Sequence, residues 1–555
     1  MNAKTARPVL HSADRRPTMN TKRLLSILVL VAAALPVCNA QPLPAGISTA
    51  GPLDRQTTLW GSFLEWSLGN PSFSGNAFDL VATVTFSHPE GETRTTEMFY
   101  DGGTTWKFRF TGTQRGIWSF FTVSTDPELN GHSGTVTVAA PAPGATGFVT
   151  QVGDKWAIDG RGALVPQYVM WARPEDYYDD SAAIDDAIQE FMVGHGFSGF
   201  HTNVFCEWFG LGKPRSDDHG SDPSPDPTTF EALELLINKT HAAGGVVHIW
   251  AWGDESRKLT PVKWGINGDV DRRLQRYIAA RLGPVPGWTM GYGFDLDEWV
   301  TESKLHAWNS YMQDHLGWHH YLGGRPEGPN SGTDHSPWVS WNESMEYSSY
   351  EHHRPTYDVY VAALQAVPGK PVLSEDRFRI RPWSGRAKDY NEEKTRRGLW
   401  HSTMAGGVAN IWGDLTDDDE AGTGISRPYP NKAQIAIYAD FWKDRFISTL
   451  VRDNSLTDGF AVRSGKGGYV FYQEDTDSIQ MDLTDMEGSL TAVAVDAKGS
   501  AYVEIPLGLL SATLQTQELP HVSDWAVAVG KLIEATIFAD GFESGDTSVW
   551  SPAMP

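Results

Sequence analysis

Residues 149–447 repeat one pattern eight times, a short apolar run typical of a β-strand followed by a segment with helical periodicity. The predicted strands cover 163–171, 199–205, 245–252, 288–294, 318–323, 346–350, 370–376 and 406–412. Helices are predicted at 180–193, 228–243, 269–282, 299–315, 355–366, 390–402 and 431–446, and the fifth connection is long and irregular. Eight such repeats over about three hundred residues are typical of a (β/α)8 (TIM) barrel. An open, doubly wound sheet is the alternative, but no glycine-rich phosphate loop follows any of the strands.

The regions on both sides of the barrel have the shorter strand pattern of all-β domains. Segments 78–88, 93–102, 105–112 and 116–125 alternate apolar and polar residues. This spacing predicts a β-sandwich over 41–148, which ends in the linker-like stretch "PAPGATG". Short strands return at 468–475 and 478–485, which predicts a second β-sandwich over 448–533. Residues 534–555 form a tail rich in Gly, Ser and Asp that looks separate from that core.

The first forty residues have the features of an export signal. Lys22 and Arg23 precede an apolar run from Leu24 to Leu35, and small or polar residues close the segment before Gln41. The apolar run is too short to span a bilayer. Residues 1–40 are therefore predicted to be a signal peptide, with an alternative start at Met19, and the protein is predicted to be secreted.

The net charge of −24 at pH 7 limits the partners that the surface can attract. Such an acidic surface repels nucleic acid and anionic membranes, so we expect no nucleic-acid partner and no membrane insertion. A neutral polymer is a better match. Of the 2 cysteines, only Cys206 follows the predicted signal peptide, so we expect no intrachain disulfide and a buried, unreactive thiol.

Carboxylates and tryptophans collect at the carboxyl ends of the predicted strands, where barrel enzymes place their catalytic groups. The stretch "GYGFDLDEWV" puts Asp295, Asp297 and Glu298 after the fourth strand, and "KPVLSED" puts Glu375 at the end of the seventh. Glycoside hydrolysis requires one protonated and one ionised carboxyl, and indole rings stack well on sugars. We therefore predict Glu298 as acid/base and Glu375 as nucleophile, with Asp295 as the reserve candidate.

Further polar and aromatic residues at the same strand ends are predicted to contact substrate. They are Trp171, Trp208, Trp252, Tyr350, His352, His353, Arg377 and Trp412. Arg377 or Arg379 would also hold Glu375 ionised by lowering its pKa. No metal site is expected, because the adjacent His352 and His353 are not accompanied by a second ligand pair at suitable spacing, and no cofactor is expected.

Each catalytic assignment has a structural alternative. Glu375 would then be an ion-pair partner at a strand end, Glu298 a helix N-terminal acid, and Asp295 an N-cap or a supporting group. At the level of function, the competing interpretation is a non-catalytic polysaccharide- or matrix-binding protein on a barrel scaffold. A polysaccharide lyase fits less well, because lyases act on uronate polymers and an acidic surface repels them.

On these residues, positions 150–447 resemble the clan A glycoside hydrolases. Members of that clan are retaining (β/α)8 barrels with a Glu acid/base after strand four and a Glu nucleophile at strand seven. Glu298 in "DLDEW" and Glu375 in "KPVLSED" occupy these two places. Relatives often have Asn before the acid/base, where this chain has Asp297.

The flanking regions carry a second resemblance. The stretches "LWGSFLEWSLGNP…NAFD" (59–79) and "MFYDGGTTWKFRFTGTQRGIWSFF" (98–121) resemble the immunoglobulin-like domain that precedes apiosidase-like and related barrel glycosidases. The stretch "SATLQTQELPHVSDWAVAVG" (511–530) is similar to the β-sandwich that ends such proteins. The resemblance implies a secreted glycosidase that acts on a polysaccharide or an oligosaccharide.

Overall fold

Alternating burial along short strands builds the N-terminal region as two facing sheets. The computed structural model describes residues 53–326, 336–352, 356–378, 391–413, 431–532 and 534, with the backbone alone at 336–338 and 376–378. The strands here are β1 (Arg55–Thr58), β2 (Leu64–Gly69), β3 (Ala82–Ser87), β4 (Thr93–Glu97), β5 (Phe99–Tyr100), β6 (Thr105–Phe110), β7 (Gly116–Ser124) and β8 (Ser133–Ala139). One sheet has the order β1-β8-β7-β3-β4 and the other β2-β6-β5. The four strands predicted in this region are all present.

Aromatic side chains fill the space between these two sheets. Trp66 stacks on Phe108 with 4.9 Å between ring centroids, and Phe86 and Trp118 are fully buried beside them. Trp318, which comes from the barrel region, lies in the same core, and its indole N–H donates to the carbonyl of Thr111 at 2.9 Å. The sandwich core is therefore completed by a side chain that lies far away in the sequence.

A small antiparallel sheet follows the sandwich and packs under the barrel. It consists of β9 (Val149–Val152), β10 (Lys155–Ile158) and β11 (Gly162–Ala163) in the order β11-β10-β9. Trp156 is fully buried in the apolar cluster of the barrel interior. Its indole N–H donates at 2.9 Å to the carbonyl of Val372, the first residue of a barrel strand. The small sheet thus covers the N-terminal end of the barrel.

Eight parallel strands form the central sheet, as the repeat pattern predicts. They are β12 (Gln167–Met170), β13 (Gly199–Asn203), β14 (Val246–Trp252), β15 (Trp288–Gly293), β16 (Leu322–Gly323), β17 (Ser348–Tyr350), β18 (Val372–Phe378) and β19 (Ala409–Trp412). The order is β16-β15-β14-β13-β12-β19-β18-β17, so β16 and β17 are the two ends of a curved sheet. A hydrogen bond from the amide of Glu346 to the carbonyl of Leu322, at 3.1 Å, joins these ends. The sheet is a nearly closed TIM barrel.

Helices connect the barrel strands and cover them on the outside. They are α1 (Pro174–Tyr177), α2 (Ser181–Ala187), α3 (Pro227–Ala242), α4 (Asp269–Leu282), α5 (Glu302–His315), α6 (Ser336–Asn342), α7 (Tyr357–Ala366), α8 (Glu392–Met404) and α9 (Lys432–Trp442). A π-helical turn, Ile188–Val193, continues α2. Short 3-10 helices lie at Ala77–Asp79, Phe205–Phe209, Ser216–His219, Glu255–Arg257, Pro261–Trp264, Leu296–Glu298 and Asn454–Leu456.

Local sequence explains where several of these helices begin. Asp226 caps α3 by accepting a hydrogen bond from the amide of Thr228, and Pro227 occupies the first turn. The sequence predicts a long irregular connection after the fifth strand, whereas the structure places the short helix α6 within it. None of the helices in the described ranges combines the length and the apolar character needed to cross a bilayer.

The C-terminal region is a single antiparallel sheet within the described residues 451–530. Its strands are β20 (Val451–Arg452), β21 (Phe460–Ser464), β22 (Gly468–Asp482), β23 (Leu490–Asp496), β24 (Ile505–Leu510) and β25 (Leu514–Gly530), in the order β20-β21-β22-β25-β23-β24. The two strands predicted at 468–475 and 478–485 are one strand, β22, because its register with β25 shifts near Thr476 without breaking the pairing. The second layer of the predicted sandwich stays a prediction.

A buried ion network holds the N-terminal sandwich on the barrel. Arg109 on β6 donates to both carboxylate oxygens of Glu234 on α3, at 2.9 and 3.0 Å. Arg281 on α4 donates to the same carboxylate at 2.5 Å. Burial alone would raise the pKa of Glu234, but the two guanidiniums lower it from 4.5 to about 2. The network therefore stabilises the fold only while Glu234 is ionised.

Replacing Glu234 by Gln should lower the free energy of unfolding by about 3 kcal/mol at neutral pH, because the buried guanidiniums of Arg109 and Arg281 lose the carboxylate that they share. Each keeps one further carboxylate, Glu65 for Arg109 and Asp101 for Arg281. In the wild type, the contribution of Glu234 is complete above pH 4.5 and is lost as the pH falls toward 2. Urea unfolding measured across this pH range should show that loss in the wild type and much less of it in Glu234→Gln.

Asp185→Asn is the matched control, because Asp185 pairs with Lys239 at 2.6 Å on the surface, where its side chain is 60% exposed. This control should change stability by less than about 1 kcal/mol. Equal urea midpoints for the wild type and Glu234→Gln would contradict the role of the network.

Candidate active site

Glu375 lies on β18 with its carboxyl fully buried among side chains from other strands. The indole N–H of Trp250, on β14, donates to Oε2 at 2.9 Å. The hydroxyl of Tyr347, just before β17, donates to Oε1 at 2.5 Å. Burial raises the pKa of Glu375 to about 7, although these two hydrogen bonds act to lower it. The carboxyl is therefore fixed at both oxygens and titrates near neutral pH.

Two glycines on adjacent strands leave the space that this arrangement occupies. Gly291 on β15 is paired in register with Gly323 on β16. A Cβ on Gly291 would lie 2.9 Å from Glu375 Oε2, and a Cβ on Gly323 would lie 2.2 Å from the ring of Tyr347. Neither position accepts a side chain without displacing Glu375 or Tyr347. The glycine pair is thus part of the site.

Arg325 connects Glu375 to the acidic residues at the end of the fourth strand. Its guanidinium is nearly buried, and Nη1 donates to the backbone carbonyl of Glu375 at 2.9 Å. Nη2 donates to Oδ1 of Asp295 at 2.7 Å and lies 2.9 Å from Oε2 of Glu351. One guanidinium therefore bridges Asp295, Glu351 and the strand that carries Glu375.

Asp295 and Glu298 differ in conformation and environment. Asp295 adopts left-handed backbone geometry (φ 50°) and leads into the 3-10 turn Leu296–Glu298. The side chain of Glu298 is largely exposed. Its pKa is raised, mainly because part of the carboxyl is buried and to a lesser extent because Asp295 and Asp254 are negatively charged. Helix α5 begins at Glu302, so the helix predicted from residue 299 starts one turn later. Both candidates for the acid/base therefore lie in the turn after β15.

The four tryptophans predicted to bind substrate are packed inside the protein. They are Trp171, Trp208, Trp252 and Trp412, each at most 4% exposed. All four belong to the large apolar cluster shared with the helices, whereas Trp250 belongs to the cluster of the barrel interior. The indole of Trp412 donates to Gln167 at 2.7 Å, and that of Trp208 donates to the carbonyl of Ala251 at 2.9 Å. In this structure they support the strands, and a contact with substrate stays a prediction.

The remaining predicted substrate contacts follow the sixth and seventh strands. Tyr350 ends β17 and is buried, with a raised pKa caused by that burial. His352 is half-buried two residues later. His353 lies outside the described residues, and so does the side chain of Arg377, whose backbone pairs with Ile411 of β19. Arg379, the other predicted partner of Glu375, also lies outside them.

Three side chains that contact Glu375 have no role in the sequence prediction, namely those of Trp250, Tyr347 and Arg325. A signal for Trp250 exists in the alternation of β14, where His248 and Trp250 share one face. Tyr347 precedes the strand end on which the prediction concentrates. Arg325 lies two residues beyond Gly323, in the connection predicted to be irregular, so no periodicity indicates its position.

Two further expectations concern Cys206 and metal binding. Cys206 is fully buried as predicted, and burial strongly raises the pKa of its thiol. Within the described residues, no group of three or more His, Cys, Asp or Glu side chains is arranged to hold a metal ion.

Comparisons with known proteins support the fold. Residues 57–125 match the model of a family described as a domain of unknown function, DUF5060. No curated protein sequence matches the chain. A structure assigned as a glycoside hydrolase from Bacteroides vulgatus is similar with a TM-score of 0.67 and 15% identity, over 86% of this chain and 100% of that one.

Two further structures are similar over a smaller share of this chain. A family 5 glycoside hydrolase from Bacteroides vulgatus gives a TM-score of 0.52 at 13% identity, over 70% of this chain and 94% of that one. A protein described as a glycoside hydrolase gives 0.52 at 11% identity, over 70% and 97%. At these identities the likeness shows a shared fold, the multidomain TIM-barrel fold of these glycoside hydrolases.

Substituting Gly323 by Ala should lower the free energy of unfolding by about 1–3 kcal/mol, because the added methyl group overlaps the buried ring of Tyr347. Urea denaturation followed by tryptophan fluorescence measures this change. Gly69→Ala is the matched control, since a Cβ there meets nothing within 4 Å. Equal losses of stability in the two variants would show that Gly323 is not required for the placement of Tyr347.

Proposed function

We propose that this protein is a retaining glycoside hydrolase that cleaves O-glycosidic bonds in a polysaccharide or an oligosaccharide. The observation that carries the proposal is the carboxyl of Glu375 at the seventh barrel strand, fixed at both oxygens by Trp250 and Tyr347. Acidic residues in the turn after the fourth strand supply the second carboxyl that such chemistry requires. The fold shared with glycoside hydrolases supports the same proposal.

Glu375 is the proposed nucleophile. Its ionised oxygen attacks the anomeric carbon and forms a covalent glycosyl–enzyme intermediate, while the second carboxyl protonates the leaving oxygen. In the second step, that carboxylate takes a proton from water, which attacks the same carbon and releases Glu375. The proposal requires the two carboxyl groups to be about 5–5.5 Å apart when substrate is bound.

Glu298 is the preferred acid/base and Asp295 the reserve. A general acid must hold its proton near the working pH, and the partial burial and acidic neighbours of Glu298 raise its pKa in that direction. Asp295 is already engaged with Arg325, which suits a supporting group better. Tyr350 and His352 are proposed to contact substrate hydroxyls, together with His353 and Arg377.

The first test is hydrolysis of a panel of plant and microbial polysaccharides, with reducing-end detection and sizing of products. On the substrate found, Glu375→Gln should lose more than about 10³-fold in kcat, because the intermediate cannot form. Its circular dichroism spectrum should match that of the wild type. NMR of the first product should show the same anomer as the substrate bond. An inverted product would contradict the retaining mechanism.

Glu298→Gln and Asp295→Asn separate the two candidates for the acid/base. On a polysaccharide, the true acid/base variant should lose roughly 10²–10⁴-fold in kcat. On an aryl glycoside whose leaving group needs no proton, the same variant should keep its first step, seen as a burst of phenolate. Asp297→Asn is the matched control, one residue from Glu298, and should stay near wild type.

The competing function, a non-catalytic carbohydrate-binding protein, gives a different result in the same experiments. It predicts retention on a polysaccharide in affinity electrophoresis, no release of reducing ends, and equal binding by the wild type and Glu375→Gln. Loss of turnover without loss of binding in Glu375→Gln would contradict this alternative.

Export by the N-terminal segment is a separate proposal. The full chain expressed in a Gram-negative host should be recovered outside the cytoplasm with Gln41 at its N-terminus, as Edman sequencing would show. Leu28→Arg, which places a charge in the apolar run, should keep the protein in the cell with its leader intact. An uncleaved wild-type protein in the cytoplasm would contradict the proposal.

A further inference from the structure

A continuous chain of buried polar side chains lies beneath Glu375 inside the barrel. Nδ1 of His201, on β13, is 2.8 Å from Nδ1 of His248 on β14. Nε2 of His248 is 3.1 Å from the hydroxyl of Tyr347, which bonds Glu375. At the other end, Nε2 of His201 is 3.1 Å from the side-chain amide of Asn203. We call His201, His248 and Tyr347 the relay.

Proton counting fixes the direction of these hydrogen bonds when Glu375 is ionised. The carboxylate only accepts, so the single hydroxyl proton of Tyr347 points at Glu375. His248 must then donate its Nε2–H to the oxygen of Tyr347, which leaves its Nδ1 as an acceptor. His201 accordingly donates from Nδ1. Every member of the relay points a donor toward Glu375.

The last contact, with Asn203, is satisfied in either of two ways. A neutral His201 has a bare Nε2, which accepts from the amide N–H of Asn203. A cationic His201 instead donates from Nε2 to the amide oxygen. The two ends of an asparagine amide are assigned from such networks, so both forms fit the same atomic positions. Both leave His248 as the donor to Tyr347.

Burial keeps His248 neutral, so its ring carries a single N–H, which can be on either nitrogen. The side chain of His248 is fully buried, and burial lowers its pKa to about 3. Neutral imidazole is a donor at one nitrogen and an acceptor at the other, which is what a directed chain requires. Its Nε2 is 3.9 Å from Glu375 Oε1, so it acts on the carboxyl through Tyr347 and makes no direct hydrogen bond.

Among the described residues, several further charged or titratable groups face this part of the barrel. Glu346, the residue before Tyr347, acts on Tyr347 through its charge, and burial raises the pKa of Glu346 itself to about 7. From the fifth strand, Arg325 contacts the backbone carbonyl of Glu375 and its charge lowers the pKa of that carboxyl. From the first strand, the ring of Tyr168 lies 5.7 Å from the ring of His248. From the third strand, Trp250 donates to Glu375 and contacts the edge of His201 with ring centroids 4.4 Å apart.

Resting on the proposed function of Glu375, we propose that His248 and His201 are positioning residues that hold the Tyr347 hydroxyl as a hydrogen-bond donor to the nucleophile. The N–H of His248 occupies the lone pair of Tyr347 and prevents its hydroxyl from turning toward another acceptor. His201 holds His248 in the tautomer that has this N–H. His201 on the second strand and His248 on the third therefore orient the hydroxyl of Tyr347, which donates to Glu375 on the seventh strand.

Protonation of Glu375 reverses the relay. The protonated carboxyl donates to Tyr347, Tyr347 donates to Nε2 of His248, and Nδ1–H of His248 donates to His201. His201 then carries its proton on Nε2 and donates to the amide oxygen of Asn203. The relay thus has one direction for each protonation state of Glu375. Only in the ionised state does it end on a charged acceptor, and hydrogen bonds to an ionised group are the stronger ones, so removing His248 disfavours the ionised state more than the protonated one.

The test compares the titration of Glu375 in His248→Phe, His248→Gln, His201→Phe and the wild type. Infrared difference spectra against Glu375→Gln isolate the carboxyl C=O band of Glu375 in the absence of substrate. His248→Phe should shift this titration upward by roughly 0.5 pH unit, the size expected for one indirect hydrogen bond. His248→Gln retains an N–H near the position of Nε2 and should restore most of the shift.

Activity gives a second readout of the same change. Where turnover is found, the acidic limb of kcat/KM reports the ionisation of the nucleophile and should move upward by the same amount in His248→Phe. Tyr168→Phe is the matched control, because it alters a ring next to His248 without breaking the relay, and should leave both titrations in place. His201→Phe, one hydrogen bond further away, gives the same readout if His248→Phe does not fold.

An unchanged titration of Glu375 in folded His248→Phe would overturn the inference, and so would an equal shift in Tyr168→Phe. Because the infrared titration needs no substrate, it stays informative if the protein hydrolyses nothing. In that case the proposed function fails on the polysaccharide panel, while the hydrogen-bond role of His248 is judged on its own.

Discussion

A carboxyl group shut off from solvent must receive its hydrogen bonds from the protein, and Glu375 imposes this requirement on the whole barrel. Strand three supplies the indole of Trp250, and the start of strand six supplies the hydroxyl of Tyr347. On strands four and five, Gly291 and Gly323 have no side chain, which leaves space for Glu375 and Tyr347. Polar and aromatic side chains therefore surround this one acidic residue, next to branched aliphatic side chains of the usual barrel-core type such as Leu373 and Ile411.

The protein holds Glu375 near the midpoint between its two charge states. Full desolvation favours the neutral acid, whereas the two hydrogen bonds and Arg325 favour the carboxylate, and the balance places the pKa at about 7. A more polar site would keep Glu375 ionised at neutral pH, and a drier one would keep it protonated. Because these contributions oppose one another, a change at either hydrogen bond shifts the pKa of Glu375.

The barrel could be predicted from sequence because hydrophobic periodicity is a local property. All eight predicted strands are present, although β16 and β17 are shorter than the apolar runs that predict them. The rule that substrate contacts lie at strand ends does not identify the side chains around Glu375. The side chain of Trp412 has the opposite parity to Ala409 and Ile411, which point into the barrel interior, whereas Trp252 shares the parity of Trp250 but lies at the very end of β14 and packs in the other cluster.

The partners of Glu375 could not be predicted for a related reason. Arg325 follows a strand of only two residues, and Tyr347 precedes a strand of three, so neither sits in a pattern long enough to define a face. The contact between His201 and His248 joins positions 47 residues apart, on neighbouring strands whose register is known only from the fold. The local sequence shows which chemical groups are present, whereas the pairing of distant strands determines which of these groups come into contact.

Trp318 has a consequence for how this protein is organised as a set of domains. Its indole is contributed by the barrel region but lies in the sandwich core, within 6.4 Å of Phe86 and 5.9 Å of Phe110 between ring centroids. A sandwich transferred alone to another protein would have an indole-sized hole lined by aromatic rings, and Thr111 would lose its donor. The sandwich and the barrel must therefore be transferred together. A recombination boundary placed at the linker-like stretch "PAPGATG" would separate Trp318 from the core that it completes.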